Sequence, residues 1–353
     1  MNQRTSIFSS FAQKRPAIFM MVATYFWTWS FWFTSLNLVT GPQGLKLTLF
    51  LLGGFGPAIG GVLTLRLQRG EWEIRKSAMG GFLVGAGLAI AALAMFRFDF
   101  LGVTGAAGPA AKTGLLSFPA DSPIYVYVLM SLVVLASGFI FSSIQSSNKQ
   151  LRGYFAGLLP DGKALILAVP VILFFPTLLI GSNFLADLLR MDYPQPRYLQ
   201  DPVSIWLPLM FVKMFTVALL TGGNEEHGWR GVLQPLLQRS MSPLTVALII
   251  GVIWELWHLP LVLGGIYGEG NAALIVIGRM LGMIPMAFLL ATIYNTTRGS
   301  IFLCVLCHAC MNSQFALFGG SQLANLVGIL IVVVLIMALR MWRRGSGFVP
   351  ADT

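Results

Sequence analysis

Residues 244–264 read LTVALIIGVIWELWHLPLVLG, and this stretch decides the class of fold. A helix needs about 20 mostly apolar residues to cross the hydrocarbon core of a bilayer. The run meets that length, yet it contains one carboxylate and one imidazole, those of Glu255 and His258. Ionisable side chains inside a membrane span are costly to bury and are therefore candidates for function. The stretch predicts a transmembrane helix that carries part of a polar site.

The composition of the whole chain agrees with a membrane protein. Of its 353 residues, 56% are hydrophobic and 10% are charged, whereas soluble domains carry about 25% charged residues. The mean hydropathy is +0.77. A net charge of +10 is typical of basic cytoplasmic loops, so we do not expect a nucleic-acid partner. The three cysteines lie close together and do not suggest a disulfide framework.

Hydropathy predicts an all-α fold, a polytopic transmembrane helical bundle of about eight to ten spans, because only helices or closed barrels satisfy their backbone in lipid. The first apolar run follows basic residues and is too long for a cleavable signal peptide, so we interpret it as a membrane anchor. The ten candidate spans are 17–38, 46–65, 77–96, 124–146, 164–182, 203–223, 244–264, 272–294, 300–318 and 321–339.

Four segments have features of their own. The glycines between positions 53 and 61 are expected to let helices approach closely. The loops 97–123 and 183–202 are long and contain Gly or Pro, and neither resembles a folded domain. Segment 228–243 is interpreted as a short amphipathic helix at the cytoplasmic interface.

The placement of Lys and Arg predicts the orientation. If the N-terminus is cytoplasmic, most basic residues fall in inside segments, and the outside segments hold only Lys46, Arg97, Lys112, Arg190 and Arg197. Basic residues accumulate in cytoplasmic loops. We therefore expect a multi-pass protein of the cell (inner) membrane with both termini cytoplasmic, and the short loops favour a bacterial cell.

The first polar patch is NEEHGWR at 224–230. On a helix, Glu226 and Arg230 are four residues apart and can form a pair. Glu225 then points about 100° away and is free to face a cavity. A carboxylate in a partly dry site suits a general base. The competing interpretation is an acidic pair that ends a helix at the membrane surface.

The second patch is WELWHLP at 254–260. Trp254 shares a helical face with His258, and Glu255 is a candidate to orient the imidazole. The alternative is a core histidine bonded to a backbone carbonyl. The Glu-x-x-His spacing also occurs in di-iron bundles, but these need two such motifs and two further glutamates.

The third patch places His308 and Asn312 four residues apart, where both can donate hydrogen bonds to one small group such as an oxyanion. Cys304 and Cys307 with His308 also match the C-x-x-C-H pattern of c-type haem attachment. That linkage is made outside the cytoplasmic membrane, whereas this segment is predicted at the cytoplasmic end of a span. Buried apolar cysteines are the simpler interpretation.

Together the three patches resemble the CPBP family, which comprises CAAX proteases and bacteriocin-processing enzymes. The family pattern is Glu-Glu-x-x-x-Arg, then aromatic-x-x-x-His, then His-x-x-x-Asn or a similar small polar residue. Glu225, Glu226 and Arg230 match the first motif. Trp254 and His258 match the second, with Trp where the family often has Phe, and His308 and Asn312 match the third. The flanks GWRG at 228–231, WHLP at 257–260 and YNTTRGS at 294–300 are also similar. The resemblance covers about residues 205–318, and its specificity comes from the order of the motifs inside membrane spans.

The resemblance implies an intramembrane endopeptidase that acts on a membrane-associated or lipidated peptide or protein. It implies that a site open to the cytoplasm contains six catalytic residues, with Glu225 and His258 activating a water, His308 and Asn312 holding the oxyanion, and Glu226 and Arg230 positioning the first pair. His227 falls at a variable position and receives no role.

The resemblance leaves the metal question open. The family is often called a metalloprotease group, but the chain has no H-E-x-x-H motif. We favour a glutamate mechanism that needs no metal or other cofactor, and zinc is the alternative. Lys213 and Arg279 are left as possible counter-charges of the cavity. Counting along the spans places His258 about 9 Å deeper than His308, although the mechanism requires the two to meet.

These interpretations divide the chain into N-terminal spans of unassigned role (1–204), a peptidase core (205–318), and a last span with a basic cytoplasmic tail (319–353). A non-proteolytic membrane protein of the same fold, acting in immunity or scaffolding, is the second hypothesis. A transporter is the third, and it ranks below the others because the sequence shows no internal repeat.

Overall fold

The regular structure of this protein is helical. The structure is a computed structural model, which describes residues 7–38, 43–69, 75–98, 124–193 and 202–350, together with 196 and 199. Within these ranges there is no strand, which confirms the predicted all-α class. The helices of seven or more residues are Ile7–Lys14, Pro16–Asn37, Gln43–Gly54, Gly56–Arg69, Met79–Phe98, Ile124–Ser142, Lys149–Phe155, Gly162–Leu188, Val203–Thr216, Pro243–Trp257, Ala272–Thr296, Ile301–Phe318 and Gln322–Ala338.

Helices occupy all ten predicted spans, but they differ in how well they suit a bilayer. In the described part of the chain, five helices are long and apolar enough to cross, and two bent pairs raise the number to seven. The other predicted spans correspond to Pro16–Asn37, whose Trp, Thr and Ser residues lower its hydropathy, and to the shorter helices Ile301–Phe315 and Gln322–Ala338. The five are Lys76–Met95, Gly162–Leu188, Val203–Gln238, Pro243–Leu263 and Ala272–Thr296.

The structure changes several predicted boundaries. The predicted span 46–65 is bent by 51° between its two helices. The helix Gly162–Leu188 continues into the segment that was predicted as an outside loop, and the predicted loop 97–123 lies outside the described residues from position 99 onward.

The prediction of an interfacial helix at 228–243 is wrong. Residues 228–236 are buried, because this segment continues the long Val203–Gln238 span into the protein interior. Its tryptophan and arginine therefore belong to the core and not to a membrane surface.

The outside of the bundle is apolar, as expected of a surface that faces lipid. On the helix Gly162–Leu188, for example, Leu165, Ile166, Val169 and Leu173 are exposed. The buried interior instead contains three glutamates, Glu225, Glu226 and Glu255, and all three histidines. This arrangement is the one that membrane proteins use for functional polar groups.

The glycines of the N-terminal half bring two helices close to the predicted motifs. A Cβ at Gly56 or Gly60 would overlap atoms of the Pro16–Asn37 helix, and a Cβ at Gly228 would overlap the carbonyl of Pro57. The predicted close approach is therefore confirmed. It seats the segment that carries Glu225 directly against an N-terminal helix, where no larger residue would fit.

Candidate active site

The first motif lies where the regular α-helix is interrupted. The Val203–Thr216 helix widens into a π-helical turn, Val217–Thr221, and then tightens into a 3₁₀ turn, Gly223–Glu225. A second π turn, Trp229–Leu233, follows. Such insertions re-aim side chains and are frequent at functional sites. These turns place the adjacent carboxylates of Glu225 and Glu226 in different surroundings.

Glu226 is held in a closed polar cluster. Its Oε2 lies 2.8 Å from Nη1 of Arg230, and both side chains have no exposed surface. Its Oε1 lies 2.8 Å from Nδ1 of His308. The guanidinium also stands over the ring of Trp254, with Cζ 4.9 Å from the centroid. The predicted Glu226–Arg230 pair thus forms, and it fixes the imidazole of His308 through a direct contact.

Glu225 and His258 are joined through one tryptophan. Nε1 of Trp254 donates to Oε2 of Glu225 at 2.6 Å. The carbonyl oxygen of the same Trp254 lies 2.9 Å from Nδ1 of His258. Since a carbonyl can only accept, Nδ1 carries the proton and Nε2 of His258 retains its lone pair in the neutral ring. The geometry leaves two proton acceptors, a carboxylate and an imidazole nitrogen, on one wall.

The side chains of His308 and Asn312 converge at Gly222, two residues before the first patch. A Cβ at Gly222 would lie 3.0 Å from Nε2 of His308 and 2.8 Å from Nδ2 of Asn312. The two nitrogens therefore converge on the same small volume beside the backbone at position 222. The ring of His308 also packs edge-to-face on Trp254, with centroids 5.1 Å apart. Any side chain at position 222 would occupy the space that both nitrogens face.

These groups share one cavity of about 830 Å³. Its polar wall contains Glu225, Trp254, His258, Tyr267, Arg279, His308 and Asn312. Its other walls are largely apolar and come from several helices, including residues outside 205–318 such as Phe174, Phe175, Leu178 and Val332. The cavity can therefore accept a molecule with a long apolar part and a polar part that needs proton transfer.

Five of the six predicted site residues are brought together directly by this arrangement. Four of them, Glu225, His258, His308 and Asn312, line the cavity. Glu226 does not line it but contacts Nδ1 of His308. The sixth, Arg230, reaches the site through Glu226. His258 and His308 line the same cavity despite the depth difference counted along the spans. Lys213 is not among the residues that line the cavity.

Glu255 does not orient His258, contrary to the prediction. Its Oε1 lies 2.8 Å from Nε of Arg279, and the contact to His258 Nδ1 comes from the Trp254 carbonyl instead. The guanidinium of Arg279 stacks on Tyr267, with Cζ 3.5 Å from the ring centroid. Burial raises the pKa of Tyr267, which lies between two spans, to about 12. The phenol is therefore neutral, and Arg279 does line the cavity as a counter-charge.

Sequence reasoning missed three contributors. The hydrogen bond from Trp254 to Glu225 joins residues 29 positions apart, Tyr267 lies in a turn without a motif, and Gly222 precedes the first patch. The composition of that turn, with an aromatic residue among glycines, was the available signal for Tyr267. His227 is buried beside Phe141 and does not line the cavity.

The cysteines do not suit haem attachment. Cys304 and Cys307 are buried among packed helices, with at most 1% of their surface exposed. Nδ1 of His308 contacts Glu226. Covalent attachment to a porphyrin requires accessible thiols, so the structure favours the interpretation of small buried side chains.

The donor set at the cavity fits zinc poorly. Among the described residues, no group of three or more His, Cys, Asp or Glu side chains is arranged to hold a metal ion. Glu226 is engaged by Arg230 and His308, and Glu225 accepts from Trp254. A zinc site needs three or four converging ligands. We therefore assign no catalytic step to a metal ion at this cavity.

Two comparisons with known proteins bear on this site. Residues 206–314, which include all six predicted site residues, match the family described as type II CAAX prenyl endopeptidase Rce1-like. The chain is also 27% identical over 219 residues to the CAAX prenyl protease 2 of Methanococcus maripaludis, an alignment that covers 59% of this chain and 80% of that protein. These similarities support the resemblance found in the sequence, a multi-pass membrane protein of the CAAX protease type, and they support a peptidase activity.

Proposed function

We propose that this protein is an intramembrane endopeptidase in which Glu225 and His258 activate a water that hydrolyses a peptide bond. One observation carries the proposal. Trp254 links the carboxylate of Glu225 and the imidazole of His258, and the same cavity is lined by two residues whose nitrogens converge beside Gly222. A hydrolase needs both halves, a base for the water and donors for the charge that develops on the carbonyl.

The proposed attack begins with the water. A water held between Glu225 and Nε2 of His258 donates a hydrogen bond to each. It loses one proton to this pair as its oxygen adds to the carbonyl carbon, and the carbonyl oxygen becomes the oxyanion. That proton is then passed to the amide nitrogen as the oxyanion collapses, so the C–N bond breaks and the amine leaves. The apolar cavity walls exclude bulk water, and this strengthens each electrostatic interaction.

The proposed oxyanion site consists of His308 and Asn312. Asn312 donates through Nδ2, and His308 donates through Nε2 when its ring carries both protons. The carboxylate of Glu226, held by Arg230, contacts Nδ1 of His308 and orients the ring for this role. Glu226 and Arg230 are thus positioning residues, while the other four contact the reacting atoms. We propose that this chemistry proceeds without zinc.

The substrate class follows from the walls of the cavity. Polar groups line one side and apolar side chains from the bundle line the rest. We propose a membrane-associated or lipidated peptide or protein as substrate. Residues 205–318 form the proposed peptidase core, and the Gly162–Leu188 helix is the part of the 1–204 spans that adds residues to the cavity. Residues 319–353 form the last span, which also lines the cavity, and the basic tail. Both termini are proposed to be cytoplasmic in the cell (inner) membrane, in line with the distribution of Lys and Arg.

The proposal is tested by cleavage of lipidated and leader-bearing peptides with purified, detergent-solubilised protein. We expect Glu225→Gln and His258→Gln each to lower kcat by about 100-fold or more, because general acid–base groups contribute about 10²- to 10⁴-fold. His227→Gln is the matched control, since this third histidine is buried outside the cavity, and its kcat should remain within about threefold. Thermal unfolding confirms that each variant is folded.

The same cleavage assay with and without a metal chelator tests whether the mechanism needs zinc. Cleavage that survives the chelator supports the metal-independent proposal, and loss of cleavage that zinc restores would contradict it. Full cleavage by both Glu225→Gln and His258→Gln would overturn the mechanism. Absence of cleavage by folded wild-type protein would favour the non-proteolytic alternative.

A further inference from the structure

Arg279 is a cation in the cavity to which the proposed hydrolysis gives no task. Among the described residues that line the cavity, it alone carries a guanidinium or ammonium group. Its side chain is 24% exposed, whereas its partner Glu255 is fully buried. A charged group that is open to a substrate cavity, and is not needed for the reaction, is suited to recognition of the substrate.

The neighbours of Arg279 hold its guanidinium in one orientation. Glu255 contacts Nε at 2.8 Å, and the ring of Tyr267 covers one face of the planar group. The contact with Glu255 involves only Nε, and a guanidinium has four further N–H donors on its two Nη atoms. A fixed planar fork of this kind matches the two oxygens of a carboxylate.

The position of Arg279 limits how far the recognised group lies from the reacting bond. The rings of His258 and Tyr267 have centroids 5.9 Å apart, and Cζ of Arg279 lies 3.5 Å beyond the Tyr267 centroid at most. The guanidinium is thus within roughly 10 Å of the imidazole. An extended peptide advances about 3.3–3.6 Å per residue, so this separation corresponds to about three residues.

We propose that Arg279 binds a carboxylate of the peptide substrate within about three residues of the scissile bond, and that Glu255 and Tyr267 orient it for that task. The inference rests on the proposed peptidase function and adds a determinant of substrate choice. The nearby carboxylate of Glu225 disfavours an anion in the cavity, and Arg279 offsets that repulsion. The recognised carboxylate is that of the peptide C-terminus or of an Asp or Glu side chain.

Three matched peptides distinguish recognition of a C-terminal carboxylate from recognition of an acidic side chain. The first peptide has a free C-terminal carboxylate, the second has a C-terminal carboxamide, and neither has an acidic side chain near the cleaved bond. A third keeps the carboxamide and has Glu at one of the three positions after that bond. Each is assayed with wild type, Arg279→Gln, Arg279→Lys and the control Lys213→Gln, which removes an intramembrane cation that does not line the cavity.

We expect wild type to prefer one of the carboxylate peptides over the neutral peptide by about 10- to 100-fold in kcat/KM, mainly through KM. Arg279→Gln should bring that ratio close to one. Arg279→Lys should keep a reduced preference because the charge remains without the planar fork. Lys213→Gln should keep the wild-type ratio.

The ratio does not depend on how much of a variant is folded, so loss of total activity cannot imitate the result. An unchanged ratio in Arg279→Lys and Arg279→Gln, or equal cleavage of all three peptides by wild type, would overturn the inference while leaving the proposed hydrolysis intact. If wild type cleaves none of the three peptides, fluorescently labelled versions of the same peptides are used to measure equilibrium binding. A carboxylate preference that Arg279→Gln abolishes supports the site, and equal binding of all three peptides overturns it.

Discussion

Two glutamate–arginine pairs lie within the described helices of this protein, and they differ in what surrounds them. The N–O separation is 2.8 Å both in Glu226–Arg230 and in Glu255–Arg279. The first pair is sealed, with no exposed surface on either side chain, whereas Arg279 lines the cavity and its side chain is 24% exposed. Equal distances thus accompany unequal surroundings, and the surroundings decide what each pair can do.

The sealed pair has no access for a ligand, so its effect passes to the groups that it contacts, His308 and the ring of Trp254. Its charges depend mainly on each other because the surrounding apolar medium stabilises neither. In the open pair, Arg279 lines the cavity, and its contact with Glu255 uses only Nε. The comparison indicates that burial turns an ion pair into a support for another residue, while exposure leaves it able to bind.

The largest expected effect comes from breaking the sealed pair. Arg230→Met leaves Glu226 as a buried carboxylate without a counter-charge, and removal of one partner from a buried pair costs about 3–5 kcal/mol. We expect a matching loss of stability in thermal unfolding of the solubilised protein. Arg279→Met is the comparison variant. It also leaves a buried carboxylate, Glu255, without its partner, but because Arg279 is itself partly exposed the loss should be smaller than that of Arg230→Met. Equal losses in the two variants would contradict the proposed difference between the pairs.

A smaller effect is expected when both charges of the sealed pair are removed together. The double variant Glu226→Gln with Arg230→Met should regain most of the stability lost by Arg230→Met, because a neutral replacement of a buried pair is nearly without cost. Its kcat should stay about 100-fold below wild type, since His308 no longer contacts a carboxylate. Wild-type cleavage by this folded double variant would show that the pair does not act through His308.

The smallest effect is expected at the open pair. In Glu255→Gln the amide oxygen can still accept from Nε of Arg279, but the negative charge is gone. The preference for a carboxylate peptide over its neutral counterpart should therefore rise by a few-fold, with a stability change below about 1 kcal/mol. Steady-state kinetics with the matched peptides measure the ratio. A fall in preference would mean that Glu255 contributes more by its charge than by its orientation of Arg279.

The sequence predicted the parts of this protein that depend on local spacing. Hydropathy located the helices, because crossing a bilayer requires long apolar runs. The four-residue spacing of Glu226 and Arg230 predicted their pair, since such residues are neighbours on a helix. The ordered motifs also indicated which ionisable groups would share a cavity. The catalytic roles of the six residues remain predictions that the proposed variants test.

The remainder depended on which helices pack together, and spacing within one helix does not contain that information. The partner of Glu255 is Arg279, 24 residues away in the next span. Local spacing offered only His258 as a partner, and that prediction was wrong. The same limit applies to the bond from Trp254 to Glu225. Segment 228–243 was misassigned because its mixture of polar and apolar residues also suits a membrane surface, whereas close packing at Gly228 buries it.

The local nature of the Glu226–Arg230 contact has a consequence for biosynthesis. The two residues are four apart on one helix, so their charges can neutralise each other as soon as that helix forms. His308 is separated from Glu226 by 82 positions. At a synthesis rate of about 5–20 residues per second, it follows roughly 4–16 s later. During that interval the nascent chain would present a self-paired dipole to the insertion machinery instead of two separate ions, and the helix can enter the bilayer before its final partner exists.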